Sequence, residues 1–418
     1  MSELQLKSIL EEAQDPEADI ALLRAALSIE SITGNETGFA RFLGQEMQKL
    51  GLSVGQGEFL EGRENVWGSK DGDPNAPHLM FVGHTDTVHV RGWEDHWPGD
   101  ARSNPFGAVE VDGNIWARGA CDLKGGICAA LAACRLLQKA GIELAGKLSF
   151  AFIGDEESGE EGTGVSAGAK DMVSRVQSGE IGKPDFAIYV EPTNLDVYTA
   201  QIGFFIADIR ITGKTAYFGR PELGVDALKA THRILDCVWQ HEAELNAGPS
   251  HDLVGASSIL VTSIEGGGYI AVPGECKLSL IRKLRPGESL DDAVAAFEAV
   301  IKSAALDEAI KVQIDYPAGR DHPFGGSPVE ISPDNDAVQM LSRTISDLSP
   351  SGGAIAGAPY WSEMPFLVDQ IGCPTVYCAP GDISVAHTAE ERINIAEYLA
   401  AIRSFAHFAV QYCGVRSD

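Results

Sequence analysis

"HLMFVGHTDTV", residues 78–88, is an apolar run that ends abruptly in a histidine and an aspartate. Its opening half is short, apolar and unbroken, the pattern of a buried strand. Residues two apart on an extended run point to one side, so His84 and Asp86 face together. Asp86 is then placed to accept the second ring N–H of His84 and fix its tautomer. The arrangement recurs. "KLSFAFIG" (147–154) runs into Asp155-Glu156-Glu157, "FAIYV" (186–190) into Glu191, and "CPTVYCA" (373–379) leads on to His387. "RGACDLKGG" (118–126) adds Asp122, the expected N-cap of the helix "LKGGICAALAACRLLQKAG". In open α/β sheets ligands gather outside the carboxyl ends of the strands, so these groups are expected to converge.

Any one cluster alone is ordinary. A single histidine is usually a satisfied core or surface residue, and "GDEESGEEG" (154–162) alone reads as a solvated acidic turn. Four clusters at four strand ends, with Asp122, form a joint signal. Two histidines and three carboxylates make a donor set suited to one or two divalent cations, Zn²⁺, Mn²⁺ or Co²⁺. A carboxylate can bridge two cations, and such a pair can hold a water between them. Glu156 and Glu157 are adjacent and should point differently, leaving one to bind metal and the other to act as a base.

The 418 residues suffice for two or three domains with a well-buried core. A formal net charge of -28 repels phosphates and argues against nucleic-acid or anionic-membrane partners. The N-terminus carries acids where a signal peptide needs basic residues, and no run is long and apolar enough to span a bilayer. The 8 cysteines are scattered without metal-knuckle spacing, which suits free thiols in a reducing cytoplasm.

The texture changes between Gln201 and Tyr316. There the order is strand, helix, strand, strand, helix, strand, which suits a compact α+β unit with two helices on one sheet face. The expected architecture is α/β. A catalytic domain (residues 1–200 and 317–418), with a mixed, mostly parallel sheet flanked by helices, is interrupted by a smaller α+β domain (201–316).

The chain resembles the co-catalytic metallopeptidase family that includes glutamate carboxypeptidase, acetylornithine deacetylase, succinyl-diaminopimelate desuccinylase and aminoacylase. The resemblance is carried by "GHTDTV", "NPFGAVEVDGNIWARGACDLKGG", "GDEESG", "EPT", "GKTAYFGRPELGVDAL", "SEMPFL" and "GCPTVYCAPGDISVAHTAEE". It implies that Asp122 bridges two cation sites, one completed by His84 and Glu191, the other by Glu157 and His387. It makes Glu156 the general base and Asp86 the orienting partner of His84. The inserted domain would be the lid and the dimerisation surface of a homodimer acting on a small molecule.

Two departures bear on the substrate. Most members carry His at the position of Tyr217 and Ser at that of Phe218, and Asn where "EGGGYIAVPGE" (265–275) has Ile270. Two groups that would polarise a carbonyl are therefore replaced. Losing one such donor typically costs about 10²–10³ in turnover. Three readings follow: Tyr217 OH replaces the His in a deacylase or peptidase; catalysis is lost and a ligand is only bound; or the substrate has no carbonyl at the reacting carbon. The third accounts best for the flat apolar walls Tyr217, Phe218 and Ile270. It resembles the chemistry of 5-nitroanthranilate aminohydrolase, a family member that replaces an aryl amino group by hydroxyl. Arg220 and Arg282 are candidates to grip a substrate carboxylate through bidentate hydrogen bonds.

Overall fold

The computed structural model describes residues 2–158 and 162–416. Gly159, Glu160 and Glu161 of the acidic turn lie outside them. The chain divides into two compact units. The larger comprises the chain up to Thr199, Ile331–Gly357, and the segment from Phe366 onward; the smaller comprises Ala200–Glu330 and Ala358–Pro365.

The four apolar runs are strands of one sheet in the larger unit. Seven of its nine strands lie in the order Ser53–Leu60, Arg63–Lys70, Lys147–Ile153, His78–His84, Phe186–Tyr189, Thr375–Tyr377, Val197–Gln201. The four strands from Lys147–Ile153 to Thr375–Tyr377 run parallel. Antiparallel strands flank them on either side. Every residue of His78–His84 is buried, as an uninterrupted apolar run in a covered parallel sheet requires. The last helix, Ile395–Cys413, brings Phe405 within 5.1 Å of Phe81 and Phe408 within 6.0 Å of Phe186, ring to ring. Residues three apart share a helix face, and that face seals this sheet.

The helix Lys124–Lys139 begins differently from expectation. Its N-cap is Leu123, without a side-chain cap, and the Asp122 carboxylate turns instead toward two histidines. Gly126 explains how closely this helix start approaches the sheet. A Cβ there would collide with the Val190 carbonyl oxygen.

The smaller unit has the strand order Ser258–Gly266, Glu275–Leu284, Gly203–Thr212, Lys311–Asp315, antiparallel throughout. Phe205, Ala207, Ile209 and Ile211 alternate inward along one strand. They form a core with residues of the helices Ala227–Asn246 and Leu290–Ser303, where Phe205 and Phe297 rings sit 5.6 Å apart. This unit runs past residue 316, because Gly325 and Gly326 pair with Phe205 and Phe204.

Gly126→Ala tests the close approach. Alanine in a helix interior normally stabilises by about 1 kcal/mol. Here the backbone clash reverses the sign, and a loss of about 1–3 kcal/mol is expected in urea unfolding. A gain would show that the helix start does not press on Val190.

Candidate metal centre

The carboxyl ends of the parallel strands bring the expected groups together. His84 ends its strand, Glu157 lies four residues past Ile153, and Glu191 lies two past Tyr189. Two three-residue groups have ligand atoms mutually within 4.8 Å: His84, Asp122 and Glu191, and Asp122, Glu157 and His387. Asp122 belongs to both. Its Oδ1 lies 3.1 Å from His84 Nε2 and its Oδ2 lies 3.1 Å from His387 Nε2. Glu157 Oε1 is 2.9 Å from His387 Nε2, and Glu191 Oε1 is 3.8 Å from His84 Nε2. Glu156 falls with His84 and Glu157 in a third such group.

The protonation of His84 tests whether a cation fits. Its Nδ1 lies 2.9 Å from the Asp86 carbonyl oxygen, which can only accept, so Nδ1 carries the proton. In a neutral ring Nε2 is then a lone pair aimed at carboxylate oxygens. Acceptor facing acceptor is repulsive unless a proton or a cation lies between them, and this donor set suits a divalent cation. The electrostatics agree. Burial, with the Asp122 charge adding to it, pushes the Glu157 carboxyl up to about 8. Contacts with Asp122 and Glu157 push His387 up to about 11. Burial opposes protonation of His84, yet the Asp122 contact and the Glu191 and Glu156 charges hold it well above its ordinary value. A cation would supply the positive charge these carboxylates otherwise draw from the imidazoles.

Asp86 serves a different purpose from the expected one. Its backbone carbonyl, not its carboxylate, meets the His84 ring; the nearest carboxylate oxygen is 3.8 Å from Nδ1. The carboxylate is occupied by Glu157 N–H at 2.8 Å, Thr33 Oγ1 at 3.0 Å and Glu156 N–H at 3.3 Å. Asp86 thus fixes the backbone that carries Glu156 and Glu157.

Sequence reasoning missed the supports of that turn. Asp155 has φ +72°, in the left-handed region, and its carboxylate accepts the amides of Gly164, Val165 and Ala167, each at 3.1 Å. Arg63 bridges Asp155 at 2.9 Å to Glu36 at 2.6 Å, all of them buried. Arg63 and Glu36 stand on runs without motif character, so no local signal marks them. Cys121, the one cysteine near the site, is buried and free, as are the other buried cysteines. Burial pushes its thiol up, away from reactivity.

The five expected substrate residues lie in the smaller unit. Tyr217 and Phe218 are 63% and 60% exposed, with ring centroids 4.6 Å apart, so they do not pack away as core. Ile270 adjoins them: its carbonyl accepts the Phe218 N–H at 3.3 Å. Arg220 is exposed and held by Glu222. Arg282 is not available as a carboxylate grip. It is 3% exposed, and its guanidinium is committed to Glu288 at 2.7 Å and the Lys283 carbonyl at 2.6 Å.

The family model "Peptidase family M20/M25/M40" matches residues 80–411. Among curated relatives, the chain is 27% identical over 421 residues to succinyl-diaminopimelate desuccinylase of Gluconacetobacter diazotrophicus, covering 94% of this chain and 97% of that protein. It is 24% identical over 410 residues to N-formyl-4-amino-5-aminomethyl-2-methylpyrimidine deformylase of Bacillus subtilis, covering 92% and 91%. A tripeptidase from Staphylococcus aureus shares the fold with a TM-score of 0.74 at 19% identity, covering 95% of this chain and 98% of that one. None of these names describes removal of an aryl amine. The matched span includes every proposed cation ligand and the proposed general base, and the chain belongs to peptidase family M20/M25/M40, a hydrolase acting on carbon–nitrogen bonds.

Proposed function

We propose that the protein is a divalent-metal-dependent hydrolase of amide bonds in small carboxylate-bearing molecules, a deacylase or small peptidase. The observation carrying this reading is the pair of three-donor groups that share Asp122, with Glu156 beside them. Cations held by His84, Asp122 and Glu191, and by Asp122, Glu157 and His387, would act as Lewis acids and lower the pKa of a bound water toward ~7. Glu156 takes the proton of the attacking water and returns it to the nitrogen of the breaking bond. The water oxygen ends on the carbonyl carbon, so the products are a carboxylic acid and an amine. Formyl, succinyl and peptide nitrogen bonds, those named for the relatives, are all of this kind. The Tyr217 hydroxyl takes over the carbonyl-polarising task of the family's histidine. A homodimer through the smaller unit belongs to this reading. It is supported by the outermost strand of that unit, where Leu260 and Ile264 are 63% and 51% exposed.

A second reading rests on the adjoining Tyr217, Phe218 and Ile270. In hydrolytic deamination of an electron-poor aromatic amine, negative charge spreads into the ring and no local donor is required. The three side chains would then serve as a flat apolar wall.

Glu156→Gln should keep full metal content by elemental analysis and lose about 10²–10⁴-fold in turnover. His84→Ala and His387→Ala should each lower metal content; full occupancy in both would dismantle the proposed centre. Tyr217→Phe separates the two readings when N-formyl, N-succinyl and dipeptide substrates are run beside nitro-substituted aminobenzoates with ammonia detection. Amide hydrolysis falling by about 10²–10³ supports the hydroxyl as donor. Ammonia release from the aminobenzoates that survives the substitution, with no amide hydrolysis, would transfer the assignment to deamination.

A further inference from the structure

We propose that Glu391, with Arg118 as its counter-ion, is a positioning residue that registers His387 against Asp122. The inference rests on the cation-binding reading of the site given above. His387 receives little support of its own. Its backbone is left-handed at φ +61°, its side chain is 54% exposed, and it stands in a loop between the turn Ile383–Val385 and the strand Arg392–Asn394. Asp122 is equally short of local support, because it precedes a helix whose cap it does not form. Both segments are fastened at one carboxylate. Glu391 is fully buried, and its Oε1 accepts the N–H of Asp122 at 3.1 Å and of Cys121 at 3.2 Å. Its Oε2 takes the guanidinium of Arg118, which also donates to the His89 carbonyl at 3.2 Å. A second tie lies two residues earlier, where the Trp97 indole N–H donates to the Ala389 carbonyl at 2.7 Å.

Hydrogen bonds to an ionised acceptor are about twice as strong as neutral ones, so this carboxylate is a firm anchor for two amides. It lies four residues beyond His387 and fixes the backbone of Asp122, so it sets the distance between their ligand atoms. His84 needs no such device, because it ends a fully buried strand. Glu391 therefore acts on both cation positions through the shared Asp122, and most strongly on that of Asp122, Glu157 and His387, where it also stands close to His387 in the chain.

The test compares Glu391→Gln with the double variant Arg118→Leu/Glu391→Leu, which leaves no lone buried charge if the single variant fails to fold. Metal-free proteins are titrated with Co²⁺ and followed by visible absorption, and amide exchange is measured at Cys121 and Asp122. Two cobalt steps are expected in the parent. In the variants at least one step loses roughly 10–100-fold in affinity, and the two amides exchange faster. Folded variants with both steps and both amides unchanged would overturn the inference. If the parent takes up no cobalt, the metal-centre reading fails separately. Amide exchange then still decides on Glu391, since unchanged rates would remove it as the anchor.

Discussion

Everything at the proposed centre turns on how Asp122 divides its carboxylate, one oxygen toward His84 and the other toward His387. The two histidines come from chain segments separated by 303 positions. A single planar group with two oxygens therefore sets the spacing of two donor sets. That demand explains why the preceding segment gives up ordinary helix capping and why the Asp122 amide is held by a buried ion. It also explains the parallel sheet. Strands running the same way deliver polar groups from several distant segments to one edge, and three of the four parallel strands do so here, with His387 in a loop beyond the fourth.

Much of this arrangement was legible in the chain because its signals are local and repeated. Three of the apolar runs lead within a few residues to a polar group, and each run is a strand; the alternation of buried residues in Gly203–Thr212 likewise marks a half-covered sheet. What escaped is what depends on the third dimension. The spacing of His84 and Asp86 correctly implies a shared environment. It cannot say whether the ring meets the carboxylate or the backbone carbonyl, since both lie within reach. Arg63, Glu36 and Glu391 are charged residues at unremarkable positions, and only the fold reveals that each is buried against a partner. Arg282 fails as a surface grip for the same reason: alternation along its strand puts it on the covered side, against Glu288.

The supports of the site share one logic. Asp86, Asp155 and Glu391 are carboxylates that bind backbone amides rather than ligands. Each immobilises a turn carrying a proposed ligand or the proposed base, so the donor geometry is set by the fold itself. Preorganisation of this kind places the cost of crowding negative charge on folding rather than on binding. The price is a cluster of carboxylates whose acid–base behaviour is distorted, visible in Glu157 held up to about 8 by burial and its neighbour Asp122.

The tight packing behind the proposed centre also limits which positions accept substitution. A Cβ at Gly83 would press on Leu123, Val190 and Ile127, and one at Gly126 would strike the Val190 backbone, so neither position accepts even a methyl group without displacing its neighbours. Tyr217, Phe218 and Ile270 are each more than half exposed and support no core, so they can be exchanged at small cost to folding. Tolerance to substitution is thereby uneven: the floor behind the proposed centre resists even a methyl group, while these three exposed positions of the smaller unit are free to vary.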